Sequence, residues 1–417
     1  MSSRRKELYI LNLTLFLTIG SFGMIFPLLP ELLVEFGASA FHMGILVTGH
    51  ALAQFISAPF WGHLSDRIGR KRVMMIGLVG FTISFVMMGM AHNFWVLLVA
   101  RTLGGMLSAA TYPTAHAYVA DVTSTDERGP AMTSMGASMS LGMIGGPALG
   151  GALAFLGVRA AFFGSAVLVA LTSLLAAYFL REPERRVEAG GGAVTAPRPA
   201  GPASTERRTG SLEGIALAVN SPYRLFFFLA FIVGFCHTTL FSLAGFYIHA
   251  KLDGSPVETS FIYIALGISN TVVQGLIVGR LIRRFGDEWT MVIGLACGTL
   301  GFGLLVLAGS LGQILAATLL SAVATACTQP TLASAISRRT NLQQGITMGV
   351  LSSFQSLGRM TGPLWGGWLF LYHFEAPFAF NALVYLITML VAIRIFAAGP
   401  YGLEAAPKQP RAPAQPL

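Results

Sequence analysis

The sequence is dominated by apolar runs, each long enough to span a membrane. Crossing the hydrocarbon core takes about 20 apolar residues in a helix. Twelve such runs follow one another along the 417 residues, at about 8–34, 42–62, 73–91, 94–119, 130–156, 160–180, 224–248, 258–281, 290–309, 312–335, 346–370 and 376–396. Most are apolar on all sides, whereas outer-membrane strands are shorter and alternate. The expectation is an all-α integral membrane protein with twelve transmembrane helices. Composition agrees, with 54% hydrophobic and only 11% charged residues, where a soluble domain carries about 25% charge. A soluble enzyme and a disordered chain are excluded on that ground. The 48 glycines suit helices that pack through small residues. A short basic start, Met1 to Lys6, leads into the first run with no cleavage site, which predicts a retained helix rather than a signal peptide.

Charge placement sets the expected orientation. With the N-terminus inside, 23 of the 27 Lys and Arg fall in cytoplasmic segments. Only Arg159 and Lys251 fall outside, and Arg101 and Arg359 lie within spans. Such asymmetry follows the positive-inside rule and predicts that both termini are cytoplasmic. It also accounts for the net charge of +9 without a nucleic-acid partner. Cys236, Cys297 and Cys327 sit far apart in apolar runs and read as small core residues, not as disulfides or metal ligands.

Residues 182–213 change character, being rich in Pro, Gly, Ala and charge with no apolar period. The expected organisation is a six-helix bundle over 1–181, a flexible cytoplasmic connector over 182–222, a second six-helix bundle over 223–398 and a disordered tail over 399–417. The halves repeat at an offset of 216 or 217: Gly62 falls on Gly279, Pro113 on Pro330 and Gly129 on Gly345. Gly142–Gly151 (GMIGGPALGG) falls on Gly358–Gly367 (GRMTGPLWGG). Two pseudo-symmetric bundles of this kind are expected of a carrier with a midplane site.

The loop after the second run reads GHLSDRIGRKR, Gly62–Arg72. It resembles the G-x-L-x-D-R-x-G-R-[KR] signature of the major facilitator superfamily at Gly62, Leu64, Asp66, Arg67, Gly69, Arg70 and Lys71. The resemblance covers nearly the whole chain. It implies a twelve-helix secondary transporter whose Asp66 faces the start of span eleven, near Asn341, as a latch. Asp121 and Arg128 resemble the family's loop between spans four and five. Arg101, in LLVARTLGGMLSAA, resembles the R-x-x-x-G motif of proton-coupled members. The segment bearing Gly142, Gly146, Pro147, Gly150 and Gly151 resembles the antiporter motif of drug:proton exporters. In the second copy of the loop, Arg283 stands where the aspartate would be. A pairing of Arg283 with Asp126 or Glu127, in a Ser-Thr-Asp-Glu capping pattern at Ser124, is expected.

Ionisable groups inside a membrane are functional candidates. Arg101 and Arg359 are two, and Arg359 has Met143 as its counterpart in the first half. No Asp or Glu lies in the middle third of any span; the nearest is Glu31, at the outer end of the first. This tilts the expected cargo toward neutral, zwitterionic or anionic molecules. Candidate proton carriers are Glu31, His50, His116 and His237. Gln54, Asn270, Gln274, Gln329 and Gln355 are candidates to line a polar site, and the run from Phe226 to Tyr247 is strongly aromatic. No G-x-x-x-x-G-K-[ST] loop, metal-ligand cluster or nucleophile motif is present.

The resulting expectation is proton-coupled export of a small amphiphilic molecule from the cell inner membrane. The partners are the cargo, protons and the lipid bilayer, with no cofactor, no metal and no obligate protein partner. Alternatives are a dedicated metabolite or siderophore exporter, an uptake symporter, or a non-transporting sensor or scaffold on the same fold.

Overall fold

A bilayer offers no hydrogen bonds to a backbone, so a chain of apolar runs must satisfy its amides within helices. The computed structural model describes residues 3–183, 224–339 and 344–397, and no strand occurs among them. The first half contains α1 (Ser3–Ile25), α2 (Leu29–Glu35), α3 (Ala40–Ile68), α4 (Arg70–Gly89), α5 (Phe94–Ser108), α6 (Tyr112–Val122), α7 (Thr125–Leu153) and α8 (Val158–Phe179). The second contains α9 (Arg224–Leu252), α10 (Pro256–Val272), a π-helical stretch (Val273–Val278), α11 (Gly279–Leu307), α12 (Leu311–Arg339), α13 (Gln344–Phe370) and α14 (Ala376–Ala397). The connector from residue 184, the tail and Asn341 lie outside the described residues.

Ten stretches are long and apolar enough to cross a bilayer. One, Pro256–Leu307, runs 52 residues, about 78 Å of helix and too long for one crossing. It turns back at Gly286, where φ is 81° and ψ 174°, and so counts twice. Together with α13 this makes the twelve crossings that the sequence predicts. Gly69, between α3 and α4, turns the chain the same way, with φ 105° and ψ 154°. Both backbones lie in a region open essentially to glycine alone, and the two positions are 217 residues apart. The repeat therefore extends to the turns themselves.

Within each half the glycine motif brings two helices into backbone contact. Gly142, Gly146 and Gly150 of α7 lie against the carbonyls of Phe16, Gly20 and Met24 on α1, where a Cβ would collide. Gly358 and Gly362 of α13 lie in the same way on the carbonyls of Phe231 and Phe235 on α9, and Gly366 on Thr239. The last glycine of each motif crosses to the other half. Gly151 meets Ser260 of α10, and Gly367 meets Ala40 and Phe41 of α3. Helix α7 runs unbroken through Pro147, whose ring fills the notch left by Gly23.

Polar ties close the ends. Lys251 donates to Glu375 Oε1 at 2.5 Å and to the Val306 carbonyl at 2.8 Å, capping the end of α11. Tyr247 donates to the neighbouring Leu305 carbonyl. At Ser124 the expected box is not closed on the backbone: the hydroxyl meets the Glu127 carboxylate at 3.1 Å. Arg283 is exposed and forms no ion pair with Glu127; the Asp126 side chain lies outside the described ones.

Candidate functional site

The two halves meet at the end that carries Glu35, Arg159, Lys251 and Glu375. There Gly44 of α3 sits against the backbone of Pro363, and Pro30 against Gly245. Thr48 Oγ1 donates to the Met360 carbonyl at 2.6 Å. Toward the basic end, which carries Arg67 to Arg72 and Arg280 to Arg284, they part. The same face of α3 continues through Leu52 and Phe55, which are 42% and 55% exposed. The matching face of α7 continues through Ala137 and Thr133, both exposed. The molecule is thus closed at one end and open at the other.

Arg359 stands on the wall of this opening. On α13, residues 358, 362 and 366 face α9, while residues 363 and 367 face α3. At about 100° per residue, Arg359 falls on the strip between those two contact faces. Protein surrounds it, yet its side chain is accessible, as expected on a cavity wall. The single hydrogen bond of its guanidinium among the described residues is to Ser356 Oγ, at 3.3 Å. His237 of α9 lies within its electrostatic reach, and no hydrogen bond holds that imidazole among the described residues. Gln355, one position before Ser356, is half-buried.

An aromatic row joins this point to the other arginine. His237 stacks on Phe241 at 6.1 Å, Phe241 meets Phe26 at 4.5 Å and Tyr263 at 4.8 Å. Phe26 and Phe22 face the Arg101 guanidinium at 5.1 and 4.8 Å. Arg101 is 1% exposed, and its Nε and Nη1 have no hydrogen-bond partner. Cation–π attraction is the visible compensation for this buried charge. His50 Nδ1 donates to the Arg101 carbonyl at 3.0 Å and lies 5.4 Å from Phe22. The linear pattern flagged both arginines and both histidines. It did not find Phe22, Phe26 or Tyr263, because nothing in an apolar run says which ring faces a cation.

The signature loop forms a compact ion cluster at the basic end. Arg70 is held by Asp66 at 2.6 Å and by Asp121 at 3.1 Å, and it donates to Ser65 Oγ at 2.8 Å. Lys71 donates to the Ala177 carbonyl at 2.6 Å, and its backbone NH to Glu182 at 3.3 Å. Glu182 fills the space beside Gly69, so the first residue assigned to the connector docks on the bundle. Arg128 donates to the Ala120 carbonyl at 3.1 Å. Gly62 and Arg67 lie at the surface of this end, with open space around Gly62. The cluster ties together α3, α4, α6 and α8 of the first half.

The remaining candidates scatter. Gln54 donates to Ser108 Oγ at 3.2 Å within the first half, His116 is exposed on α6, and Gln329 is half-buried on α12. Gln274 is exposed in the π-helical stretch, and Asn270 donates to the Leu266 carbonyl. Glu31 lies at the closed end, in a small cavity of about 60 Å³ that His249 and Thr259 also line. Among the described residues, no group of three or more His, Cys, Asp or Glu could hold a metal, and the three cysteines are free thiols.

The family model described as Major Facilitator Superfamily matches residues 11–287 and 226–417. Multidrug resistance protein 2 of Bacillus subtilis is 29% identical over 393 residues, covering 92% of this chain and 94% of that protein. The quinolone resistance protein NorA of Staphylococcus aureus is 27% identical over 375 residues, covering 89% and 92%. The crystal structure of a bacterial homologue of the human lysosomal transporter Spinster, inward-facing and unoccupied, superposes with a TM-score of 0.71 at 17% identity, covering 95% and 96%.

Proposed function

This chain belongs to the Major Facilitator Superfamily, and from that premise we propose that it exports a small amphiphilic molecule in exchange for protons by alternating access. It is a multi-pass membrane transporter and not an enzyme. In our reading it resides in the cell inner membrane with both termini and the basic end in the cytoplasm, as the 23-to-2 charge split favours. The observation that carries the proposal is the two-ended geometry. The halves touch at Gly44 and Pro363 and part around Arg359, as a carrier open to the cytoplasm would.

The signature cluster fits a gate. Arg70 shares its guanidinium between Asp66 and Asp121, so a modest shift of α3 against α6 would exchange partners rather than strand a charge. The names of the relatives, multidrug resistance and quinolone resistance proteins, support export of drug-like compounds. Arg101, His50, His237, Arg359 and Glu31 remain the groups proposed for coupling or cargo. Of these His237 is favoured as the proton carrier, because it is half-buried on α9 and no hydrogen bond holds its imidazole among the described residues.

The test uses inside-out vesicles with an imposed proton gradient and a lumenal pH dye. Adding a transported compound should release lumenal protons, and Asp66→Asn should abolish the response at normal protein level. No response to any compound, or import against the gradient in right-side-out cells, would refute export.

A further inference from the structure

We propose that the cargo site selects organic anions: an amphiphile whose carboxylate seats on Arg359 and whose rings lie along the His237–Phe241 stack. The inference rests on the export reading above and narrows its substrate class.

Four observations lead there. First, among the described residues the Arg359 guanidinium has one hydrogen bond, to a hydroxyl on its own helix, which leaves most of its five N–H donors unspent. Second, no carboxylate among the described residues pairs with it. Every acid whose side chain is described lies near an end of the molecule, at Glu7, Glu31, Glu35, Asp66, Asp121, Glu127, Glu182, Asp253, Glu258, Asp287, Glu288 and Glu375. Among the described residues none of the ion pairs reaches α13. An unpaired charge at membrane depth is costly, and such residues mark substrate paths.

Third, the position does not belong to the repeated scaffold. The motif glycines match between α7 and α13, but Arg359 replaces Met143, so packing does not require it. Fourth, the other intramembrane cation cannot do this task. Arg101 is enclosed by Phe22 and Phe26 and is 1% exposed. It adds positive potential behind the aromatic row without offering a place to bind. A cationic compound would meet two arginines and no carboxylate there. A carboxylate would meet a planar guanidinium fork matched to its own geometry.

Binding is measured first, on the full-length protein in nanodiscs, with three probes of one shape: naphthoate, naphthamide and naphthylmethylammonium. Naphthoate is expected to bind about tenfold more tightly than the amide, and the ammonium more weakly still. Arg359→Gln should erase that order, and Arg359→Lys should keep part of it, since charge remains but the fork is lost. The wild-type order alone decides the matter should the variants fail to fold. Equal binding of the three probes, or preference for the ammonium, overturns the proposal. Vesicle transport of the same probes separates the two claims. Anion binding without transport overturns export and keeps the site. Transport of the ammonium and not the carboxylate keeps export and overturns the site. Neither binding nor transport of any probe overturns both.

Discussion

Thr48 Oγ1 donates a 2.6 Å hydrogen bond to the Met360 carbonyl, tying the first half to the second across 312 residues of chain. The tie lies one helical turn from Gly44, which rests on the backbone of Pro363. Backbone-close contacts of this kind form only where no side chain intervenes. Gly44→Val should therefore wedge the closed end apart. We expect transport to fall at least tenfold, about 1.4 kcal/mol, at unchanged protein level. Cysteine pairs placed across α3 and α13 should cross-link less readily than in the parent. Undiminished cross-linking would argue against a seal at this point.

Adjacent glycines in α7 should behave oppositely. A Cβ on Gly146 collides with the Gly20 carbonyl, whereas Gly145 faces open space. Gly146→Leu should destabilise the first half by about 1–3 kcal/mol or more and reduce the folded yield. Gly145→Leu should stay within about 0.5 kcal/mol. Thermal unfolding of the two variants in detergent is the measurement, and equal melting temperatures would contradict the packing role.

The two turn glycines offer a matched pair. Gly69 and Gly286 share a backbone conformation that costs other residues about 1–3 kcal/mol. Gly69 also has the Glu182 carboxylate where a Cβ would go, while Gly286 has nothing within reach. Gly69→Ala should lower the melting temperature more than Gly286→Ala, and Gly69→Ala combined with Glu182→Ala should close much of that gap.

Arg101 is expected to trade stability for activity. Its charge is buried with two nitrogens unbonded, and replacing such a group by an apolar residue of similar volume is often stabilising by about 1–4 kcal/mol. Arg101→Met should melt higher and transport nothing. Arg101→Lys should also fail, since an ammonium does not lie flat between two rings. An active, less stable Arg101→Met protein would show that the arginine is merely structural.

The ion cluster at the basic end should matter for function more than for stability. Asp121 is 30% exposed in its pair with Arg70, and pairs of that kind contribute about 0–1 kcal/mol. Asp121→Asn should leave the melting temperature within a few degrees while slowing transport at least tenfold, about 1.4 kcal/mol of barrier. A large thermal loss with normal transport would identify the cluster as a brace.

Much of this architecture was legible in the sequence because a bilayer imposes a single length scale. The twelve spans and their pairing by a constant offset need no knowledge of packing. The glycine motif was legible as well, since close approach demands the same residue in both copies. The turn shared by Gly69 and Gly286 follows the same offset but passes unnoticed in the string, because one glycine looks like another until its φ is known. The aromatic row was not legible: Phe26 and Tyr263 sit in runs where every residue is apolar, and hydrophobic pattern carries no direction there. The pairing of Lys251 with Glu375 was hidden for a different reason. It links the ends of two spans 124 residues apart, and a lone charge at a span end has many possible partners.

One consequence follows from Arg359 having Met143 as its counterpart. The scaffold is nearly two-fold, so a passenger without polarity could ride in either of two orientations. A single cation present in one half only would remove that degeneracy. In the proposed site, the group gripped by Arg359 would travel with the second half of the protein, while the remainder of the cargo brushes past the first. On that proposal the duplicated frame would supply the motion, and one unduplicated residue would give the cargo a front and a back.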